Sequence, residues 1–357
     1  MPSSQLRAPR LQLCRAGKPR KDDQIGNLSG LVDALNSSAR IVKATICVFL
    51  VGCSCLSAQT LAPNCCPQTP TKEKQQALWS KLTDRIAEID RGLDGVMGVA
   101  IRDLNSGDTF LLHGDDVFPQ ASSIKIAVLA ELYHQEQRGR RGESGVARLA
   151  DLYTMRAEDL VPDSSIMGGL TPGVSRITNR DLATMMVAVS DNSATNVLID
   201  RVGMTNVEHT LASLGLKNTH LQRKMMDLAA AREGRENIST PREMMTLLEA
   251  IYRNKLFDKE LTADFFKLLS TTKDSSIPKL LPSDVTIANK PGELEAVRND
   301  SGIIFVPNRP FILCVMTTYL HDERDGQRAI SEIALAAYQY FDRLGRSSEY
   351  GRAVPAK

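Results

Sequence analysis

Apolar positions change period several times along the chain. Between Lys72 and Leu93, Leu78, Leu82, Ile86 and Ile89 recur at intervals of three and four, which predicts an amphipathic helix. Gly95 to Ile101 then read as a strand, and the Asn105-Ser106-Gly107-Asp108 turn joins it to Thr109-Phe110-Leu111-Leu112 as a hairpin. Residues 122–138 predict a long helix with its apolar positions facing one way, and further helices are predicted over 178–189, 193–202, 205–214, 241–254 and 259–270. The pattern then returns to strands near 285–290, 301–306 and 311–319, before a terminal helix over 326–344. Strands therefore bracket a helical middle, which is not the regular alternation of a doubly wound fold. The expectation is an α+β architecture: one antiparallel sheet built from both chain ends, with an all-helical subdomain inserted. The two terminal helices would cover one face of that sheet.

Upstream of this body the pattern differs. Residues 44–58 are an apolar run too short for a comfortable membrane span, preceded by Arg40 and Lys43 and ending on Ser57-Ala58. This is the pattern of an export signal, and implies a periplasmic or membrane-anchored protein. Leu50-Val51-Gly52-Cys53 also resembles a lipoprotein box, so a lipid anchor on Cys53 stands as the alternative to cleavage at Ala58, and a buried core strand as the bland one. The 39 residues upstream fit no signal-peptide flank; residues 1–43 are expected to be either an unstructured basic leader or a stretch ahead of the true start, with translation beginning near Val42. A Pro/Cys/Thr linker over 59–74, a catalytic body over 75–346 and a short tail over 347–357 complete the expected organisation.

Charge and cysteine usage narrow the function. The 357 residues carry 44 Lys+Arg against 42 Asp+Glu, a net +2. Eight of those basic residues and only three of the acids fall in 1–43, so the remainder holds 36 against 39 and is mildly acidic. No basic footprint for nucleic acid is present. Six of the seven cysteines precede residue 67, and Cys314 lies in an apolar run, so the body has no internal disulfide and must be held by its core. No Cys/His group has zinc spacing, and no metal or other cofactor is expected. Walker, HExxH and G-x-S-x-G patterns are likewise missing.

What remains is serine and lysine. Ser-x-x-Lys occurs three times, at Ser122/Lys125, Ser270/Lys273 and Ser276/Lys279. Ser122 opens a long predicted helix, where first-turn N–H groups are free, and Lys125 lies one turn on, able to take a proton if burial lowers its pKa. The other two pairs, near a helix end and beside Pro278, are expected to be solvated surface. Ser190-Asp191-Asn192 falls between two predicted helices and would serve equally as an ordinary helix cap. Lys290-Pro291-Gly292, on a late strand, would alone be a strand ending in a Pro-Gly turn.

In this order and on these elements, the three motifs are those of the class A β-lactamases and penicillin-binding proteins. Residues 75–346 resemble the class A β-lactamase-like serine hydrolases along nearly their whole length, most closely at Ile177-Thr178, Asp181-Leu182 and Ser190 to Asn196. The resemblance implies the β-lactamase/transpeptidase-like fold, a monomer, and a small β-lactam or D-Ala-type peptide as substrate. By the same resemblance Ser122 would attack the carbonyl, with Lys125 as base. Ser190 would relay a proton to the leaving nitrogen, and Asn192 would bind the substrate's side-chain amide. The oxyanion would lie between the N–H groups of Ser122 and Glu293, just past Gly292. Lys290, helped by Arg298, would attract the substrate carboxylate.

Two departures qualify this. Pro291 stands where the family has Ser or Thr, which removes a hydroxyl and a backbone donor. The family also carries a water-activating Glu in a Leu-x-Arg-x-Glu-x-x-Leu-Asn pattern; here Leu221, Arg223 and Leu228 set the register, placing Met225 at the Glu and Ala229 at the Asn. Asp227 is two positions away from that place. The expectation is a serine β-lactamase-type hydrolase with slow deacylation. A related D,D-peptidase or esterase inhibited by β-lactams is the alternative, and a non-turnover penicillin-binding sensor ranks last.

Overall fold

The computed structural model describes residues 70–353. The predicted leader, export signal and lipid-anchor site lie outside those residues, as does most of the linker. The chain runs α1 (Pro70–Arg91), β1 (Val96–Asp103), β2 (Thr109–Leu112), β3 (Phe118–Pro119), α2 (Lys125–Arg140), β4 (Leu152–Thr154), β5 (Arg176–Thr178) and α3 (Asn179–Ala188). It continues through α4 (Asn192–Val202), α5 (Met204–Ser213), α6 (Leu228–Arg232), β6 (Ile238–Ser239), α7 (Pro241–Tyr252) and α8 (Lys259–Leu269). Finally come β7 (Thr286–Leu294), β8 (Val297–Phe305), β9 (Phe311–Thr318) and α9 (Glu323–Gly345). The last five residues of the predicted linker are thus already helical, and the tail folds back through a Ser347–Ala353 bridge.

Five strands form one antiparallel sheet in the order β2-β1-β9-β8-β7, built from both chain ends as expected. β9 shows why its sequence is an unbroken apolar run. Phe311, Leu313 and Val315 pack towards α1 and α9, with Ile330, Ile333 and Phe341. Ile312, Cys314 and Met316 point the other way, into the core of the helical layer. A strand buried on both faces has no polar side to alternate with. Cys314 is fully buried, and burial pushes its thiol up to about 12, so it is a small core hydrophobe rather than a nucleophile.

The helical subdomain is organised around α2, which departs from the expected one-sided helix: 13 of its 16 residues are buried. Its polar residues survive because each is partnered. Gln135 bonds Glu131, the Val202 carbonyl and the Ala147 N–H. Glu136 accepts from Arg148, Arg140 and the Leu149 N–H. Burial works to raise the Glu136 carboxyl, but these donors outweigh it and hold it at about 2. Interior placement fixes the start of α2, where Lys125 sits, against both the sheet and the helices.

β7 does not end at Pro291-Gly292 but runs on to Leu294, and the reversal falls at Ala296, whose φ is +58°. Because β7 is the edge of the sheet, it tolerates a proline that donates nothing to a ladder. Its outer edge faces the helical layer, and between them lies the site.

Candidate active site

Ser122 sits on a 3-10 turn, Ala121–Ile124, that leads into α2. The turn is pinned from several sides. The Gln120 N–H donates to the Asn237 carbonyl (2.7 Å), the Asn299 amide to the Pro119 carbonyl (2.7 Å), and the Ser123 hydroxyl to the Lys290 carbonyl (3.1 Å). Ala121 is held at φ +48°, a conformation that only an over-determined surrounding maintains. Gly292 explains how close β7 comes. A Cβ there would lie 2.5 Å from the Gln120 carbonyl oxygen and 2.9 Å from the Ser123 nitrogen. Its role is close approach of strand to turn, and it does not itself line the cleft as a substrate-binding residue would.

Ser190-Asp191-Asn192 divides its labour. Asp191 is the cap the sequence allowed: one oxygen accepts from the Ala194 N–H and the other from Ile166 and Met167 N–H. That frees its neighbours to face the cleft, with Ser190 in the left-handed region at φ +57°. The Ser190 hydroxyl donates to Ser122 Oγ (2.9 Å) and accepts from Lys125 Nζ (2.9 Å) and Lys290 Nζ (3.1 Å). Lys125 Nζ also donates to the Ser190 carbonyl (2.7 Å) and to Asn192 Oδ1 (3.0 Å). The three motifs therefore meet in one hydrogen-bonded set.

Electrostatics follow from burial. Lys125 and Lys290 are each 1% exposed. Desolvation, then the neighbouring Lys290, holds Lys125 well below the usual lysine range, against a weaker pull from Asp191. Lys290 is lowered to about 7 by burial and by Lys273, with Asp300 and Glu293 opposing. Asp300, buried on β8 opposite Pro291, accepts from the Ser276 and Ile277 N–H groups and from the Asn289 amide; burial raises its carboxyl against those bonds.

The cleft has a volume of about 400 Å³, with Ser122 in it, Ser190 and Asn192 on the helical wall, and Lys290, Pro291 and Glu293 on the sheet wall. Lys273 lines it too, contrary to the surface position expected from its sequence. The segment after α8 folds back against the sheet, where the Ser276 and Ile277 N–H groups bind Asp300 of β8. This half-buries Lys273, whose ammonium donates to the Leu269 carbonyl and is lowered to about 8 by burial against the pull of Asp300. Ser276 of the third pair is buried as well, where its carbonyl accepts from Ser331. Arg298 is the opposite correction. Although it pairs with Glu293 in the β7–β8 register, its guanidinium is taken by the Leu294 and Val297 carbonyls and by Glu323, and it does not line the cleft.

The loop of Met225 is anchored by Arg223, which forms a two-point pair with Glu236 (both bonds 3.0 Å). Met225 is 7% exposed, with its side chain in the apolar core of the helical layer. Asn196, one turn along α4 from Asn192, clamps its backbone by accepting from the Met225 N–H (2.8 Å) and donating to its carbonyl (3.1 Å). Asp227, the nearest carboxylate along the chain to Met225, caps α6 by accepting from the Ala230 N–H and is not among the residues that line the cleft. The acidic residues that line the cleft are Asp163, Asp274 and Glu293, all exposed.

A sequence model of the beta-lactamase enzyme family matches residues 81–341. Beta-lactamase SME-1 of Serratia marcescens is 26% identical over 272 residues, covering 72% of this chain and 88% of that protein. The crystal structure of a beta-lactamase from Sphaerobacter thermophilus superposes with a TM-score of 0.66 at 30% identity, over 73% of this chain and 97% of that one. A variant of PBP-A, in acyl-enzyme complex with penicillin G, superposes equally well, with a TM-score of 0.66 at 25% identity over 74% and 97%.

Proposed function

Because this chain belongs to the beta-lactamase enzyme family, we propose that it opens β-lactams through an acyl-enzyme on Ser122 and releases the product slowly. The observation that carries this is the contact set of Lys125. A neutral amine has two N–H donors and one lone pair. With Lys125 neutral, Ser190 O and Asn192 Oδ1 take both donors, and the Ser190 hydroxyl turns from Ser122 Oγ to donate to the amine's lone pair while accepting from the Ser122 hydroxyl. A proton leaving Ser122 Oγ then passes through Ser190 to Lys125, while Oγ forms the bond to the carbonyl carbon. When the lactam C–N bond breaks, Ser190 returns a proton to the leaving nitrogen. Lys125 thus acts through Ser190, with which its contact is direct. The developing oxyanion takes the N–H groups of Ser122 and Glu293, each donor typically worth about 3 kcal/mol of barrier.

Lys273 replaces Arg298 as the partner of Lys290 for the substrate carboxylate, and pH dependence follows. The lysine ammoniums attract a carboxylate only when protonated, so binding is strong below about 7 and is lost as pH rises through about 7 to about 8. The KM of penicillin G should rise over that interval, and that of its uncharged methyl ester should not. A parallel rise for the ester would remove the two lysines from carboxylate recognition.

Release is slow because, among the described residues, no carboxylate is hydrogen-bonded beside Ser122 and a thioether cannot take a proton from water. A D,D-peptidase or esterase that β-lactams inhibit shares this feature, and Met225 with Pro291 is the observation in its favour. Intact-mass spectrometry of the full chain mixed with penicillin G tests the proposal. One penicillin mass should appear on the wild type and persist after excess drug is removed, and Ser122→Ala should gain none. No adduct on the wild type overturns the proposal; one that clears at once overturns its slow step.

A further inference from the structure

Asp163 stands on the helical lip of the cleft in a placement that core packing does not explain. It is exposed, lines the cleft, and sits in the left-handed region at φ +56°. The segment bearing it is stapled to the start of α4 on both sides. The Val161 N–H donates to the Ser193 hydroxyl (2.8 Å), the Ser164 and Ser193 hydroxyls bond each other (2.7 Å), and the Ile166 and Met167 N–H groups donate to Asp191. Asp163 itself accepts, through its carbonyl, from the Asn192 N–H (3.3 Å). Its backbone is thus tied to the residue proposed to hold the substrate's side-chain amide. Yet among the described residues its carboxylate makes no hydrogen bond or ion pair of its own. A fixed backbone in a strained conformation, carrying an unpaired charge at the lip of a reactive cleft, is preorganised for a ligand.

The geometry points to Asp163 as a specificity-determining residue that favours substrates with an ammonium group on the acyl side chain. The inference rests on the acyl-enzyme reading above. With the substrate amide on Asn192, whatever is attached beyond the amide carbonyl passes the Pro162-Asp163 lip. The substrate carboxylate is drawn to the opposite, sheet wall by Lys290 and Lys273. The two walls together suit a zwitterion: anion against the strand, cation against the lip.

Ampicillin and penicillin G supply the test, because they differ only in an α-ammonium on the phenylacetyl side chain. Effects common to both, including titration of the lysines, cancel in the ratio of their second-order acylation constants. Measured at about pH 6.5, where an α-ammonium is charged, and at low salt, the ampicillin/penicillin G ratio should fall about two- to fivefold in Asp163→Asn, the scale of one exposed charge pair. Asparagine keeps the left-handed backbone available, so the change is one of charge. Asp163→Lys should lower the ratio further, and added salt should bring the wild-type ratio towards that of Asp163→Asn. Adducts with both penicillins and a ratio unchanged by Asp163→Asn overturn this inference while leaving the acyl-enzyme reading intact. If neither penicillin forms an adduct, that reading falls and the inference falls with it.

Discussion

Met225→Glu should speed the release of a penicilloyl group from Ser122 by about 10²–10⁴-fold, the usual contribution of a positioned general base. The backbone is already prepared. Asn196 holds the Met225 N–H and carbonyl, and sits one turn of α4 beyond Asn192, which faces the cleft beside Ser190 and Lys125. A carboxylate entering this apolar surrounding is desolvated, which raises its pKa towards neutrality and makes it a better proton acceptor. The same burial costs stability, on the order of 1–3 kcal/mol for an unpaired polar group, which a lowered Tm would register. Met225→Gln separates the two effects, because it has the polarity and size of glutamate but cannot take a proton. The measurement is the rate at which the acyl-enzyme mass disappears. A folded Met225→Glu protein whose adduct persists as long as that of the wild type would show that a missing base at this position is not what limits turnover.

How far the sequence anticipated this site depended on whether a residue's neighbours lay close along the chain. Ser122 with Lys125 is a local pair at i, i+3 on a helix start, and helix geometry alone brings the two side chains to one face; Ser190 and Asn192 flank the Asp191 cap, and the left-handed backbone at Ser190 (φ +57°) sets both on the cleft. β9 was legible because burial on both sides leaves a continuous apolar run. Lys273 was not, since its position comes from the fold-back of an irregular segment onto Asp300 of β8, and no periodicity encodes that. Its own Ser-x-x-Lys spacing pointed to nothing, as Ser270 merely bonds the Phe266 carbonyl at the end of α8. Arg298 misled for the converse reason. Its strand register sets it opposite Glu293, but a long guanidinium is placed by its partners, and Glu323 at the start of α9 claims it. Asp163 lies in a Pro-Asp-Ser-Ser stretch without pattern, and only the staples to Ser193 and Asp191 give it a place. Pro291-Gly292 looked like a chain reversal; the edge position of β7 and the tight approach of Gly292 to the Ser122 turn make it a continuation instead.

Lys125→Met should lower the acylation constant for penicillin G by about 10²–10⁴-fold while leaving the fold in place. Methionine fills the space of the lysine stem and removes a desolvated amine, which offsets the loss of its donors to the Ser190 carbonyl and Asn192 Oδ1, so Tm should change little. A purely structural role for Lys125, as a tether between Ser190 and Asn192, predicts otherwise. In that case Lys125→Arg, which keeps a charge and several donors, would restore much of the rate. A guanidinium does not lose its proton in this pH range, so the base role predicts that arginine is as poor as methionine. Substrate binding provides the second discriminator. Lys125 makes its contacts to Ser190 and Asn192 rather than to the carboxylate wall, so the loss belongs in the rate of bond formation at saturating penicillin, with KM little changed. Arginine rescue, or a loss carried by KM, would return Lys125 to a positioning role and leave Lys290, the other amine bonded to Ser190, to accept the proton.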